Sequence, residues 1–203
     1  MPMDFQIILE LTALGLFVGF AAGLFGIGGG GIMVPFIAAI LEARGVDGGL
    51  AVKMAIATAM ATIVFTATSS VWAHHRRGAV RWDLVASLAP GIVAGSILAS
   101  FGAFAILKGW VLALIFGIFL LVVATRMFRS KQTTTSGRLP GLAGIFGAGG
   151  VIGFLSGLVG IGGGALSVPF LTRCGVAIHN AVATSAALGL PIALANLTGY
   201  VYS

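Results

Sequence analysis

The chain has 203 residues, of which 59% are hydrophobic and 8% charged, and its formal net charge is +6. Its mean hydropathy of +1.13 leaves too little polar surface to cover a water-soluble domain, so the composition excludes a soluble globular protein and predicts an integral membrane protein. A single cysteine, Cys174, excludes an internal disulfide and a multi-cysteine metal site, and we expect no cofactor.

Apolar segments follow one another through the first part of the chain. A segment at about residues 6–25 is followed by a run of glycines, a short apolar segment (Ile32–Leu41) and a polar loop (Glu42–Gly49). Three longer apolar stretches come next, each close to the ~20 helical residues that cross about 30 Å of hydrocarbon: Met54–Ala73, Leu84–Leu107 and Gly109–Thr125. The sequence lacks the alternation of apolar and polar residues that a transmembrane barrel needs, so we predict an all-α integral membrane protein.

A polar, flexible connector divides the chain into two halves. Residues 130–139 read SKQTTTSGRL, and the pattern of the first half restarts after them. The second half has a glycine-rich helix at about residues 140–158, a break, a short segment (Ala165–Thr172) and a final apolar run from Ala181. We therefore predict one transmembrane repeat over residues 1–129 and another over residues 140–203. Because the second is much shorter, we expect it to be incomplete at its C-terminal end.

The most informative feature is a repeated motif. The stretch Gly15–Phe36 recurs as Gly149–Phe170, and both copies contain GIGGG followed by Val-Pro-Phe. Each copy is an apolar segment that is interrupted by glycines and stopped short by a proline, Pro35 or Pro169, to which we assign a structural role. Interrupted hydrophobic segments at corresponding places in two halves indicate the binding site of a transporter.

The number of membrane crossings predicts how the two repeats are oriented. If the short segment Ile32–Leu41 crosses the membrane, an odd number of crossings precedes the connector. The second copy then enters from the opposite side, which makes these inverted-topology repeats. If either short segment enters and returns on the same side, the parity changes and the repeats are parallel.

Consecutive glycines do not favour a helix and free the backbone to turn. An opened helix inside a bilayer is tolerated only where protein or a water-filled cavity surrounds it. The half-helix that restarts at Ile32 or Ala165 would aim its unpaired N–H groups at that cavity, which is an anion site without a charged side chain. The alternative is a tight re-entrant turn in which the glycines only pack. The candidate substrate-binding glycines are Gly26, Gly28, Gly29, Gly30, Gly160, Gly162, Gly163 and Gly164.

Other glycines recur at every fourth position and are predicted to have a packing role. Such spacing leaves a smooth strip on one face of a helix, which a neighbouring helix can approach closely. The first repeat has this spacing before its glycine break and again in a later helix, and the second has it before its own break. These residues are Gly15, Gly19, Gly23, Gly91, Gly95, Gly149, Gly153 and Gly157.

Three polar residues inside apolar segments complete the candidate site. Thr58 lies in AIATA, which resembles AVATS around Thr184, so one hydroxyl is duplicated in both halves. Asn196 lies in the final apolar run, where its amide needs a partner. Hydroxyls in membrane helices also bond back to carbonyls of their own helix, so a structural role is the alternative for both threonines.

An enzymatic function is not expected. Gly26, Gly28 and Gly31 match a dinucleotide-binding fingerprint, with Asp47 following at a suitable distance. That fingerprint requires a short buried strand before it and a long helix after it, whereas here a long apolar segment precedes it and Pro35 follows. The sequence also does not group a nucleophile, a base and an orienting acid.

The basic residues lie between the predicted spans and have no interleaved aromatic residues, so we expect no nucleic-acid partner. Lys and Arg are retained on the cytoplasmic side of membrane proteins. This rule predicts cytoplasmic loops at residues 74–82 and 126–140, and it predicts that Arg44, Lys53, Lys108 and the N-terminus lie outside. The expected partners are a small anion and the lipid bilayer, and the sequence does not predict an oligomeric state.

The paired motifs GLFGIGGGGIMVPF and GLVGIGGGALSVPF, with AVATS after the second and AHHRRG after the third helix, resemble the sulfite exporter TauE/SafE family. The resemblance covers nearly the whole chain. It implies a plasma-membrane protein of two repeated halves that moves sulfite, sulfonates or related sulfur-containing organic acids. The alternatives are an anion channel and a non-transporting scaffold or assembly subunit.

Overall fold

The computed structural model describes residues 9, 12–20, 29–129, 137 and 139–202, with the side chains of residues 126–129 excepted. The described part of the chain is helical and contains no strand. Its helices, in chain order, are α1 (residues 12–20), α2 (Gly30–Ala43), α3 (Gly48–Arg76), α4 (Trp82–Ile97), α5 (Gly109–Arg129), α6 (Leu142–Val159), α7 (Gly164–Arg173) and α8 (Ile178–Val201). A π-helical segment, Leu98–Phe104, continues α4.

Four of the described helical stretches are long and apolar enough to cross a membrane: α3, α4 with its π-helical extension, α6 and α8. Shorter apolar stretches lie at Gly30–Ala43 and Gly109–Thr125. Large apolar side chains such as Phe65, Trp72 and Ile106 are exposed on the outside of the bundle. Exposed residues of this kind suit a surface that faces lipid, so the prediction of an all-α membrane protein is confirmed.

Helix boundaries follow local chemistry. The Asp47 carboxylate accepts hydrogen bonds from the backbone N–H groups of Gly49 (3.0 Å) and Leu50 (3.3 Å) and thereby caps the start of α3. Gly160 ends α6 in the left-handed conformation, with φ of +71°, which glycine adopts at little cost.

The role expected of the two prolines was wrong in one respect. Pro35 and Pro169 lie inside α2 and α7 and do not end them, because α2 continues to Ala43 and α7 to Arg173. Proline removes one backbone donor, but a membrane helix tolerates this loss where neighbouring groups surround it. The helices also begin earlier than expected, at Gly30 and Gly164 instead of Ile32 and Ala165.

Some sequence-based expectations fall on residues outside the described part of the chain. The predicted helix at 6–25 is described at residues 9 and 12–20, which are helical. Gly23, Gly26 and Gly28 lie outside the described residues, and the connector is described only at Gly137 and Leu139.

Glycines bring the backbones of α4 and α6 into direct contact. A Cβ on Gly95 would overlap the carbonyl group of Gly150, and a Cβ on Gly153 would overlap that of Ile92. The packing role predicted for these glycines is therefore confirmed. A Cβ on Gly15 or Gly19 would meet no described atom within 4 Å, so a packing role for these two glycines stays a prediction.

Contacts between helix ends define two ends of the bundle. At the Lys108 end, Gly109 packs on Gly49, and the Lys53 ammonium lies 5.4 Å from the centre of the Phe104 ring. This ring in turn packs on the ring of Tyr200, near the end of α8.

At the Arg81 end, the Arg81 backbone N–H donates to the Thr184 hydroxyl near the start of α8, at 3.1 Å. Gly137 of the connector packs against the backbone of Arg173 at the same end. Helix α3 therefore runs from the Lys108 end to the Arg81 end, and α8 runs the opposite way. Which end faces the cytoplasm stays a prediction from the charge pattern.

Candidate functional site

The two glycine-rich breaks lead into helices that begin in the same way. In α2, the N–H groups of Ile32 and Met33 donate to the Gly29 carbonyl at 3.3 and 2.9 Å. In α7, the N–H groups of Leu166 and Ser167 donate to the Gly163 carbonyl at 3.3 and 2.7 Å. The amides that precede these donors have no partner within their own helix, and each start carries the positive end of a helix dipole.

The two breaks meet inside the bundle. A Cβ on Gly30 would overlap the carbonyl group of Gly160, so the backbones of the first and second motifs are in contact there. Beside this crossing, a Cβ on Gly31 would lie 3.5 Å from the Ile161 side chain. Gly30, Gly160 and Ile161 are all buried.

The second break lies at the middle of the bundle. A Cβ on Gly162 would lie 3.4 Å from the Ile63 side chain, near the centre of α3. A Cβ on Gly163 would lie 2.6 Å from the Ile192 side chain, in the central part of α8. Protein therefore surrounds the irregular backbone, as a membrane interior requires.

Side chains around the second break are uncharged. The closest described side chains to Gly160, Gly162 and Gly163 belong to Val34, Ile56, Ile63, Ile192 and Ser167. Because these described side chains carry no formal charge, the contribution that can be assigned to the field at this break is that of the helix ends: the partly negative end of α6 and the partly positive start of α7.

Three buried polar atoms have no hydrogen-bond partner among the described residues: Ser156 Oγ, Ser167 Oγ and Asn196 Oδ1. Ser167 belongs to the first turn of α7, and its Oγ lies 3.1 Å from the position of a Cβ on Gly163. Asn196 directs its oxygen to Gly157, in the last turn of α6. An unpaired buried polar group is costly, so each of these atoms calls for a partner such as a water molecule or a ligand.

Comparison with known proteins gives the family. Residues 11–203 match the family model described as Sulfite exporter TauE/SafE. The chain belongs to the TauE/SafE family. This membership confirms the resemblance read from the paired glycine motifs and makes the chain a multi-pass protein of a membrane transporter family.

Relatives of this TauE/SafE protein carry transporter names. A protein of Haemophilus influenzae named "Probable membrane transporter protein" is 36% identical over 202 residues, which cover 98% of this chain and 75% of that protein. A probable membrane transporter protein of Methanocaldococcus jannaschii is 32% identical, with 99% of this chain and 79% of that protein covered. No solved structure matches the chain.

The fold of this TauE/SafE chain brings together only part of the predicted site. Gly30 of the first motif meets the second motif, whereas a Cβ on Gly29 would lie 3.4 Å from the Val18 side chain. The second motif contains the other candidate glycines: Gly160, Gly162, Gly163 and Gly164. Asn196 lies against Gly157, in the turn of α6 that precedes the second break. Gly26 and Gly28 lie outside the described residues.

The two threonines of the repeated motif occupy unlike environments. Thr58 is exposed, and its hydroxyl donates to the Met54 carbonyl of its own helix at 2.7 Å. Thr184 is fully buried, and its hydroxyl accepts from the Arg81 backbone N–H at the Arg81 end. No described contact brings Thr58 and Thr184 to the glycine crossing.

Sequence reasoning missed Ser156 and Ser167. Both are polar residues within the apolar part of the second motif copy, so the criterion that selected Asn196 would have found them. The described residues contain no group of three or more His, Cys, Asp or Glu side chains that could hold a metal ion.

Proposed function

We propose that this TauE/SafE protein is a secondary carrier of small oxyanions, and that its substrate is sulfite, a sulfonate or a related sulfur-containing organic acid. The observation that carries the proposal is the buried contact between Gly30, at the start of α2, and Gly160, at the beginning of the break that leads to the start of α7. Family membership and the names of the relatives support transport, and the sulfur chemistry follows from the family description.

The proposed anion site consists of backbone amides and one hydroxyl. The amides of the first turns of α2 and α7 are unpaired within their helices, and the start of each helix favours a negative charge. Gly29, Gly30, Gly163 and Gly164 supply these first-turn positions, and the buried Ser167 hydroxyl adds a donor beside Gly163. A sulfite or sulfonate group offers three acceptor oxygens to such donors.

We also propose that the two halves are inverted-topology repeats. The directions of the helices support this: α3 and α8, which contain the matching AIATA and AVATS motifs, run in opposite directions. The short helices diverge from the crossing as well, because α2 ends beside Asp47 at the Lys108 end and α7 ends beside Gly137 at the Arg81 end. In such folds the substrate site lies near the membrane midplane, between the repeats.

The proposal gives Thr58 and Thr184 no direct contact with the anion. Their hydroxyls already bond to Met54 and Arg81, far from each other along the bundle. The glycines and Ser167 are therefore the residues on which the proposed carrier function depends.

Substitution of Ser167 by alanine tests the proposed site with little risk to folding. Removal of an unpaired hydroxyl leaves no broken hydrogen bond, so unfolding should be unchanged. Uptake of radiolabelled sulfite into proteoliposomes should show a KM about tenfold higher, because a hydrogen bond to a charged ligand is lost. Ser96→Ala is the matched control: Ser96 is equally buried, but its hydroxyl bonds to the Gly153 carbonyl, away from both breaks.

Three outcomes separate the carrier from the other functions. A raised KM for Ser167→Ala together with trans-stimulated sulfite exchange supports the carrier. Flux without trans-stimulation indicates an anion channel. Absence of flux of sulfite and sulfonates by the wild-type full-length protein contradicts transport and favours a scaffold.

A further inference from the structure

The last turn of α6 ends inside the protein, where its carbonyl groups lack helical partners. The carbonyls of Leu158 and Val159 receive no backbone hydrogen bond from the described residues, and both residues are buried. The Gly157 carbonyl accepts a hydrogen bond from the Tyr200 hydroxyl. A helix end of this kind carries a partial negative charge and presents oxygen atoms.

Two side-chain oxygens without partners lie at the same turn. Asn196 Oδ1 lies against Gly157, where a Cβ would overlap it, so only glycine permits this approach. The other half of the Asn196 amide, Nδ2, donates to the Ile192 carbonyl at 2.8 Å, and this bond fixes the direction of the oxygen. Ser156, one residue before Gly157, is buried with its hydroxyl unpaired among the described residues.

We propose that Ser156 Oγ, Asn196 Oδ1 and the final carbonyls of α6 form a binding site for a small alkali-metal cation, for which Na⁺ is the probe. Hard cations select oxygen ligands, and carbonyls at the ends of interrupted membrane helices suit Na⁺. No carboxylate is among these ligands. Removal of a divalent cation from water costs much more free energy than removal of a monovalent one, and a neutral site has no negative charge to offset that cost. A monovalent ion therefore fits better.

This cation site would couple to the proposed anion site, and only this step rests on the proposed function. Only Gly160–Gly163 separate the end of α6 from the start of α7, so these two helix ends, beside which the two ions would bind, lie within about 17 Å of each other. Opposite charges at this spacing attract in a medium of intermediate dielectric constant. We expect saturating Na⁺ to raise the affinity for the anion by about tenfold, and the anion to raise that for Na⁺ equally.

The direct test measures binding of radiolabelled Na⁺ to the purified full-length protein in nanodiscs, without any anion. The wild type should bind Na⁺ saturably, with displacement by unlabelled Na⁺ and not by choline. Asn196→Ala and Ser156→Ala should each weaken Na⁺ binding by about tenfold or more, because each variant lacks one of the side-chain oxygens that would coordinate the cation. The matched control is Ser185→Ala, because the buried Ser185 hydroxyl bonds to Val182 of its own helix.

A second variant separates coordination from packing. Asn196→Asp keeps an oxygen at the site and removes the bond from Nδ2 to Ile192. A coordinating role predicts Na⁺ affinity at least equal to that of the wild type, whereas a purely structural role predicts the same loss as with alanine. If the Asn196 variants do not fold, Ser156→Ala decides the question.

The results distinguish failure of this site from failure of the carrier. Absence of saturable Na⁺ binding by the wild type, or binding that neither alanine variant weakens, overturns the cation site. Anion flux that proceeds without Na⁺ in the same preparation leaves the carrier standing. Saturable Na⁺ binding without flux of any sulfur oxyanion leaves the cation site standing and contradicts the carrier.

Discussion

Gly30 lies so close to the carbonyl group of Gly160 that no other residue fits at position 30 without a backbone shift. The two residues belong to different copies of the glycine motif and are far apart in sequence. Their contact is one of the places where the two halves of the protein touch through bare backbone; others lie between α4 and α6.

Substitution of Gly30 by alanine should destabilise the protein. The added methyl group would overlap the Gly160 backbone, and overpacking of this kind costs about 1–3 kcal/mol. Thermal unfolding in detergent micelles, followed by the fraction that remains monodisperse, measures the loss. Gly19→Ala is the control, because a Cβ there meets no described atom within 4 Å, and alanine favours a helix more than glycine does. Equal stability of the two variants would contradict the close contact.

Substitution of Gly162 by alanine should impair transport more than stability. A Cβ there would make only ordinary contact, 3.4 Å from Ile63, so we expect the folded fraction to match the wild type. The methyl group would stand beside the first-turn amides of α7 and narrow the proposed anion site. Flux of radiolabelled sulfite should fall by about tenfold, because an anion displaced by the methyl group would lose about one hydrogen bond to these amides. Unchanged sulfite flux would show that the second break is not part of the anion site.

Substitution of Thr184 by valine should loosen the loop after α3. The Thr184 hydroxyl accepts from the Arg81 backbone N–H at 3.1 Å, and loss of the acceptor should cost about 1 kcal/mol. Thr184→Ser keeps an acceptor and should restore most of the stability. Limited proteolysis at the loop, scored for both variants, measures the effect. Cleavage rates that do not differ between valine and serine would show that this hydrogen bond contributes little.

The charge pattern predicts that Arg77 faces the cytoplasm and that Lys108 faces outward. Both positions are exposed, and they lie at opposite ends of the bundle. In a background with Cys174 replaced by alanine, an impermeant maleimide should label Lys108→Cys in intact cells and Arg77→Cys only after permeabilisation. The reverse labelling pattern would invert the assigned orientation.

Local patterns in the sequence predicted most helices and a new helix after each glycine break, although α2 and α7 begin earlier than expected, at Gly30 and Gly164. The repeated glycines and the length of each apolar run were sufficient, because both properties act over a few neighbouring residues. The contact of Gly30 with Gly160 was not predictable in this way, since it depends on how distant segments pack. Ser167 could have been selected from the sequence as a polar residue within an apolar segment, but its burial beside Gly163 becomes visible only in the folded chain.

The threonine pair shows where a repeated motif misleads. Thr58 and Thr184 occupy matching positions in AIATA and AVATS, which suggests a shared role. In the fold, α3 turns Thr58 outward, whereas the loop before α4 covers Thr184. Equivalent positions in two halves therefore meet different neighbours, and a duplicated residue type does not by itself indicate a duplicated function.

The backbone contact between Gly30 and Gly160 also affects how easily the chain can move at this point. Interlocked side chains resist sliding, because they must disengage before two helices can change their relative angle. Two smooth main-chain surfaces have nothing to disengage. At this one contact, a small change of angle would therefore meet little resistance from side chains, whereas a side chain added at Gly30 would overlap the Gly160 carbonyl group and oppose the change.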